Sequence, residues 1–242
     1  VLAFCREHGI SITARGGGTS QAGQAIGSGL QLDFSKHFGN LLELQPERQR
    51  VRVQPGIVLD ELNATLKPYG LTLPLDLSTS SRATIGGMIS NNSSGTRSVV
   101  YGKTLDYVES LTVMLADGSV VVLDDSSPDP SDTLHARCHE AVVSLATKHS
   151  EEIDRRYPKI LRRVGGYNLD EFTPEHKRPP NLSRLIVGSE GTLALILEAT
   201  LRVVPIPAER ILLSVQFDDL LEALEAVPTI LEHNPSAIEL VD

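Results

Sequence analysis

The sequence predicts an α+β fold in which short strands alternate with glycine-rich turns and a few amphipathic helices. Up to about residue 53 the apolar runs are short and Gly-rich segments separate them, as expected for strands joined by loops. Two apolar runs at 107–116 and 120–123 flank an Asp117-Gly118 turn, which is typical of a β-hairpin. Apolar residues within 58–66 recur at helical spacing, and a Pro-Tyr-Gly break follows them. Together these patterns predict separate helices and strands around one core.

The remaining elements follow in chain order from the same two periodicities. Strands are predicted at 10–14, 30–34, 41–44, 51–53, 185–187 and 192–204. Helices are predicted at 2–8, 133–149 and 151–163. The last two helices lie in residues 126–181, a polar and proline-interrupted stretch that we interpret as an insertion between strands.

Pro205 and Pro207 mark a predicted domain boundary. Beyond them the patterns predict a strand at 210–217, a helix at 219–231 and a strand-like segment at 236–241. The chain begins without Met in a helix-like stretch and stops after a new strand-like segment, so we expect a fragment of a longer protein. The expected domains are residues 1–207, lacking an N-terminal part, and residues 208–242, the truncated start of a second domain.

Composition and charge exclude several classes of function. The formal net charge of −9 argues against a nucleic-acid-binding protein. No apolar stretch reaches the roughly 18 residues needed to span a bilayer, so no transmembrane segment is expected. Cys5 and Cys138 form neither a disulfide framework nor a Cys-x-x-Cys motif, which favours the cytoplasm. A peripheral position at the inner face of the membrane stays open.

Three separate segments, each predicted to be a loop, combine glycine with hydroxyl or amide side chains, at 15–23, 74–95 and 188–192. In the first, three consecutive glycines lie between Arg15 and Thr19, so backbone N–H groups can approach a ligand closely and the flanking side chains add donors. Such a donor set suits a diphosphate, although any one segment is equally typical of a plain turn. Because neither G-x-G-x-x-G nor G-x-x-x-x-G-K-[ST] occurs, a bound nucleotide would not be held in Rossmann or P-loop fashion.

These segments occur in an order that resembles a known family. RGGGTSQAG, TIGGMISNNSSGTRSVVYGKTLDYVESLTVMLADG and LIVGSEGTLALILEATLRVVP are similar to the FAD-binding domain of the vanillyl-alcohol oxidase/p-cresol methylhydroxylase (PCMH) superfamily. Within it the chain resembles the FAD-linked 2-hydroxy-acid dehydrogenases, which include the glycolate oxidase D-subunit and the D-lactate and D-2-hydroxyglutarate dehydrogenases. The resemblance implies a two-subdomain PCMH-type FAD-binding fold, followed by the truncated start of an α+β substrate (cap) domain.

The implied activity is oxidation of a small 2-hydroxy acid to the 2-oxo acid by hydride transfer to flavin N5. The resemblance places the general base outside this chain, so no catalytic residue is assigned. The electron acceptor stays open, and iron–sulfur clusters are expected only in regions outside this chain. A related NADPH-dependent reductase of cell-wall precursor synthesis fits less well, because of the Gly-Tyr-Asn-Leu segment at 166–169 and the turn at 188–193. The alternative of a different class is an FAD-binding module or degenerate scaffold without turnover.

The resemblance also implies the cofactor contacts. Five residues of the first segment would hold the pyrophosphate: Gly16, Gly17, Gly18, Thr19 and Ser20. Arg15 would be a further donor, and Gly23 would shape the loop. Later segments would supply Pro74, Asp76, Ser78, Thr84, Gly86, Gly87, Asn92, Ser94, Gly95, Tyr101, Gly102, Val108, Glu190, Gly191 and Ile196. Leu77 departs from the family pattern, and so do Ser93 and Ser94, since the family more often has Ala-Gly-Gly at 93–95. Since no His falls in the three segments and Thr19 and Ser20 are not the usual tethers, we expect non-covalent FAD.

Two further clusters carry polar side chains. Arg162, Tyr167 and Asn168 are candidate substrate contacts, because they stand where related dehydrogenases have a Lys followed by Gly-Tyr-Asp-Leu. An Arg fork suits a substrate carboxylate, and a Tyr near the flavin could position a hydroxyl. The alternative for this cluster is a helix end followed by a plain Gly-rich turn. His135, Cys138 and His139 could share a helix face, but no fourth ligand is evident and we assign no metal site.

Overall fold

The computed structural model describes residues 1–241. Its α-helices are α1 (Leu2–Glu7), α2 (Leu59–Leu66), α3 (Ile85–Asn91), α4 (Ser98–Tyr101), α5 (Thr133–Lys148), α6 (Ser150–Arg156), α7 (Ser183–Ile186) and α8 (Leu220–Leu231). Its strands are β1 (Ile12–Arg15), β2 (Leu30–Asp33), β3 (Leu41–Gln45), β4 (Arg50–Val53), β5 (Leu71–Thr72), β6 (Val108–Met114), β7 (Val120–Leu123), β8 (Leu195–Arg202) and β9 (Val204–Pro205).

The strands form one larger sheet and two small ones. The five-stranded sheet has the order β3-β4-β8-β6-β7, and every neighbouring pair in it is antiparallel. β1 and β2 form a separate parallel pair, and β5 pairs with β9 in antiparallel fashion. Segregated helices and a mainly antiparallel sheet confirm the predicted α+β class.

The core lies between one face of the five-stranded sheet and the helices α2 and α3. Along β4, Val51 and Val53 are fully buried while the alternating Arg50 and Arg52 are half-buried, as expected for a sheet covered on one side. Three leucines at helical spacing on α2 and three apolar residues on α3 pack against that face: Leu59, Leu62, Leu66, Ile85, Met88 and Ile89.

Several predicted elements are confirmed and their ends are now defined. The helix at 58–66 and the hairpin around Asp117 and Gly118 form as expected, with Leu115 N–H donating to the Ser119 carbonyl. The helix predicted at 151–163 ends at Arg156, because Pro158 forces the preceding Tyr157 into an extended conformation. The stretch 126–181 packs onto the core through buried Ala146, Ile153 and Phe172.

Four other predictions were wrong. Residues 185–187 fall in the short helix α7 and the residue after it, not in a strand. The segment 74–95, expected to be a loop, contains α3, which Thr84 caps by accepting a hydrogen bond from Gly87 N–H. Within the described chain, residues 210–217 and 236–241 form no strand, because strand formation depends on a pairing partner that these segments lack here. The helix predicted beside them is present as α8.

No helix found between residues 1 and 241 combines the length and the apolar character needed to traverse a bilayer.

Candidate functional site

The three small-residue segments meet around one cleft of about 720 Å³, within the usual range for ligand sites. The first segment and its neighbours contribute residues 14–22, 24 and 25. The second segment contributes 76–79 and part of 83–96, and the third contributes Glu190 and Gly191. Arg162 and Val164 complete the lining from the stretch that follows α6.

The first two segments are packed directly on each other. A Cβ added at Gly16 would lie 2.0 Å from Thr84 Oγ1, and one at Gly17 would lie 2.1 Å from the carbonyl oxygen of Arg82. Real Cβ atoms do not approach other atoms this closely. These glycines therefore allow one wall of the cleft to contact the next.

Within the second segment, Asp76 joins the start of the loop to its end. Thr96 N–H donates to the Asp76 carbonyl oxygen at 3.3 Å, and Arg97 Nε donates to Asp76 Oδ2 at 2.8 Å. A Cβ at Gly95 would lie 1.9 Å from the same carbonyl oxygen. Asp76 thus lines the cleft as a carboxylate already paired with an arginine.

The third segment reaches both other walls through Glu190. Its Oε1 accepts a hydrogen bond from Asn91 Nδ2 and its Oε2 accepts one from Gln24 Nε2, each at 2.9 Å. Its backbone N–H donates to the Ser90 carbonyl oxygen at 2.9 Å.

Most of the predicted cofactor residues line this cleft, and the structure brings together Arg15, Gly16, Gly17, Gly18, Thr19, Ser20, Asp76, Ser78, Thr84, Gly86, Gly87, Ser94, Gly95, Glu190, Gly191 and Ile196. Six predicted residues lie outside the lining: Gly23, Pro74, Asn92, Tyr101, Gly102 and Val108. Gly23 is adjacent to lining residues on both sides.

Asn92 has a role inside the protein. Its side chain is completely buried, and its Oδ1 accepts a hydrogen bond from Leu105 N–H at 3.0 Å. Its φ of 51° is the left-handed conformation that ends α3, which asparagine tolerates well. The cofactor contact at this position stays a prediction, and the side chain is engaged within the protein.

Tyr101 and Gly102 are also engaged away from the cleft. The Tyr101 carbonyl oxygen accepts a hydrogen bond from Tyr107 Oη at 2.7 Å. Gly102 has a φ of 73°, and a Cβ there would lie 2.2 Å from Asp106 Oδ2. Both residues shape the connection between α4 and β6.

Of the three predicted substrate contacts, only Arg162 lines the cleft. Its Nη2 lies 3.3 Å from Ser94 Oγ, and no carboxylate of the described residues pairs with it. Tyr167 lies nearby, with its Oη 2.9 Å from Thr192 Oγ1.

Asn168 is completely buried, contrary to the expectation of a substrate contact. Its Nδ2 donates to the carbonyl oxygens of Val187 at 2.8 Å and Arg184 at 3.0 Å. The side chain therefore holds the stretch after α6 against α7. Arg162 lies in the same stretch, so Asn168 affects its position only through the backbone.

Sequence reasoning missed Gln24, Asn91 and Val164, which line the cleft. Gln24 directly follows the predicted loop, and its polarity in a small-residue stretch was a usable signal. Asn91 lies within the second segment, whose amide side chains were such a signal, whereas Val164 had none because only the fold brings it to the cleft.

The histidines of α5 do not face this cleft. His135 is buried, and burial lowers the pKa of its imidazole. His139 Nε2 lies 3.4 Å from the Pro180 carbonyl oxygen. In the part of the chain that the structure describes, no three His, Cys, Asp or Glu side chains are grouped so that they could hold a metal ion.

The fold and the cleft together define a cofactor-binding domain with a mainly antiparallel sheet. A solved structure of alkyldihydroxyacetonephosphate synthase is similar with a TM-score of 0.63 and 19% identity, over 98% of this chain and 35% of that one. This likeness identifies the PCMH-type fold. The family model described as FAD binding domain matches residues 1–124, and the chain belongs to this family of FAD-binding domains.

Curated relatives are also similar. D-2-hydroxyglutarate dehydrogenase of Pantoea ananatis is 38% identical over 96% of this chain and 23% of its own length. The protein of the same name from Escherichia coli is 37% identical over 98% of this chain and 24% of its own length. A glycolate oxidase subunit of Bacillus subtilis is 30% identical over the whole chain and 42% of its own length. The chain therefore spans about a quarter of the first two relatives.

The groups that line the cleft suit FAD. Within residues 1–241, no backbone carbonyl accepts a hydrogen bond from the N–H groups of residues 16–20, so these donors can bind a diphosphate. The lining includes Arg15 and Arg162 as cations, and Asp76, one of its two carboxylates, is paired with Arg97. Hydroxyl groups from the first two segments add donors for an extended, oxygen-rich cofactor.

Proposed function

We propose that this chain is the FAD-binding part of a dehydrogenase that oxidises a 2-hydroxy acid of the D-2-hydroxyglutarate type to the 2-oxo acid. The observation that carries the proposal is the meeting of three small-residue segments and Arg162 around one cleft. The names of the relatives with 37–38% identity favour D-2-hydroxyglutarate over D-lactate and glycolate.

In this proposal, residues of the first segment bind the cofactor. The N–H groups of residues 16–20 and the guanidinium of Arg15 would hold the diphosphate, and the packing of Gly16 and Gly17 on the second segment would keep them in place. Bound FAD supplies the hydride acceptor of the reaction. Neither His nor Cys lines the cleft among the described residues, which supports non-covalent binding.

Arg162 would orient the substrate. Its guanidinium can form two parallel hydrogen bonds with a carboxylate, and it is available because no acidic partner in the described chain occupies it. Because the described residues lining the cleft include no His or Lys, we assign the base that accepts the hydroxyl proton to the rest of the whole protein.

The domain division belongs to the same proposal. Residues 1–207 would form the FAD-binding domain, with 126–181 as an insertion, and residues 208–242 would begin the substrate domain; Asp242 lies outside the described residues. The free thiols of Cys5 and Cys138 are in keeping with the proposed cytoplasmic location, which includes a peripheral position at the inner face of the membrane. The electron acceptor is not assigned.

The test is anaerobic reduction of the flavin in the full-length protein. We expect a yellow protein whose flavin is released by acid precipitation, as for non-covalent FAD. D-2-hydroxyglutarate should bleach the flavin absorbance faster than D-lactate or glycolate, and L-2-hydroxyglutarate serves as the matched stereochemical control. A flavin that no 2-hydroxy acid bleaches would leave the binding module as the function, and a colourless apoprotein that takes up no FAD would contradict both.

A further inference from the structure

Glu190 adopts a backbone conformation that its residue type disfavours. Its φ is 53°, in the left-handed region, and glycines at 188 and 191 in the same turn have φ values of 85° and 75°. Gln49, Asn92 and Asn234 also lie in this region; asparagine tolerates it, whereas glutamine and glutamate have no such tendency. A glycine at position 190 would remove the strain, but it would also lack the two hydrogen bonds that the Glu190 side chain makes.

The side chain of Glu190 connects the two other walls of the cleft. One carboxylate oxygen accepts from Gln24 of the first segment and the other accepts from Asn91 at the end of α3. None of the ion pairs formed within residues 1–241 includes Glu190, so its hydrogen bonds go to amides.

The C-terminal end of the first segment makes few other hydrogen bonds to the rest of the protein. Near its start, Gly16 and Gly17 pack against Thr84 and Arg82. Within the described chain, no backbone–backbone hydrogen bond links residues 16–25 to another segment. The one backbone–backbone hydrogen bond of these residues is local, from Ile26 N–H to the Gly23 carbonyl. The side-chain hydrogen bond from Gln24 to Glu190 therefore joins the end of this segment to the opposite wall.

We propose that Glu190 is a positioning residue that keeps the first segment closed against α3, acting through Gln24 and Asn91, so that the donors of residues 16–20 stay in place for FAD. The carboxylate makes charge-assisted hydrogen bonds, which are stronger than those of a neutral acceptor. The strained backbone at Glu190 is kept because the side chain holds these two walls together. This inference rests on the family's cofactor and not on the proposed substrate.

The test separates backbone strain from side-chain function in the full-length protein. Glu190→Gly should change the melting temperature of the apoprotein only slightly, because the relief of backbone strain offsets the loss of the two side-chain hydrogen bonds. The same variant should raise the Kd for FAD about tenfold, as expected for the loss of charge-assisted hydrogen bonds. Glu190→Gln keeps one acceptor and should have a smaller effect. Flavin fluorescence titration of the apoprotein gives each Kd.

A double-mutant cycle tests whether Glu190 acts through Gln24. Gln24→Ala should raise the Kd for FAD by a factor similar to that of Glu190→Gly. The Kd of the double variant should not exceed the higher Kd of the two single variants. The matched control is Glu152→Ala on α6, a carboxylate that pairs with Arg155 and Arg156 away from the cleft, which should bind FAD as the wild type does.

Unchanged FAD affinity in Glu190→Gly would overturn the inference. So would a double variant whose fold-change in Kd equals the product of the two single fold-changes. A fall in the melting temperature of the apoprotein large enough to account for the loss of FAD would overturn it as well. Because FAD affinity is measured without substrate, a failure to oxidise any 2-hydroxy acid would contradict the proposed function and leave this result standing.

Discussion

At the scale of single residues, the glycines of the first segment act through protein packing. Gly16 and Gly17 meet Thr84 and Arg82 at distances that admit no Cβ. The sequence motif suggests that small residues make room for a ligand, whereas the structure shows that two of them first make room for a neighbouring segment. Cofactor binding then depends on that packing.

A valine at Gly17 is expected to separate the two segments. Its Cβ would lie 2.1 Å from the Arg82 carbonyl oxygen, so the backbone must shift. We expect Gly17→Val to lower the free energy of unfolding by about 2 kcal/mol and to abolish FAD retention during purification. Thermal unfolding and the flavin content of the purified protein measure both effects.

The control for this substitution is Gly165→Ala, since a Cβ at Gly165 meets nothing within 4 Å. It should keep both stability and flavin. Full flavin content in Gly17→Val would show that the first segment does not bind the diphosphate.

Arg162 is the residue proposed to bind the substrate carboxylate. Replacement by Ala should raise the KM for the 2-hydroxy acid about tenfold to a hundredfold, because a charge-assisted bidentate contact is lost, while the Kd for FAD stays nearly unchanged. Steady-state kinetics and flavin titration distinguish the two quantities. Arg156→Ala, at an exposed position on α6, is the matched control and should leave KM unaltered. An unaltered KM in Arg162→Ala would remove Arg162 from the substrate site.

At the scale of elements, the hairpin strand β6 is tied to α4 through Tyr107. This side chain is buried, its Oη donates to the Tyr101 carbonyl oxygen at 2.7 Å, and the guanidinium of Arg202 lies over its ring. Burial raises the pKa of Tyr107 from 10.0 to about 12. The folded protein therefore holds the phenol proton more tightly than the unfolded chain does.

The alkaline limit of stability should reflect this residue. A folded-state pKa above the unfolded value gives stability that is complete below pH 10 and is lost as the pH rises from 10 towards 12. By the upper end of this range the loss should be on the order of 2 kcal/mol. Denaturant unfolding at several pH values measures it. Tyr107→Phe should flatten this alkaline decline, and an unchanged slope in that variant would assign the decline to other groups.

Elements with local signals were predicted well, and those that depend on partners were not. The spacing of Leu59, Leu62 and Leu66 is sufficient to indicate α2, and Asp117-Gly118 is sufficient to indicate the hairpin. In contrast, residues 185–187 have strand-like composition but lie at the short helix α7, because their place in the fold offers no strand to pair with. Composition cannot report the presence of a neighbouring strand.

At the scale of the whole molecule, the part after β9 stands apart from the core. Ile211 and Leu212 are each 94% exposed, and several apolar side chains of α8 are exposed too. Among the described residues, no backbone hydrogen bond joins residues 208–241 to the preceding part. An apolar segment with so few contacts to the preceding residues agrees with the proposed domain boundary near Pro207.

Removing this segment should not destabilise the rest. A chain ending at Pro207 is expected to unfold within about 2 °C of the 242-residue chain, since no core contact is lost. It should also bind less of a hydrophobic dye, because exposed apolar surface has been removed. A melting temperature lower by many degrees would contradict the boundary and show that residues 208–242 stabilise the FAD-binding domain.

The sequence by itself determined the fold class, the order of the three small-residue segments and the family. Those features are local, since they depend on residue type and on spacing within a few turns of chain. The tertiary structure alone decided which motif residues reach the cleft. It buried Asn92 and Asn168, and it joined Gln24 to Glu190 across 166 positions. Contacts between residues so far apart arise from the packing of whole segments, which no local pattern records.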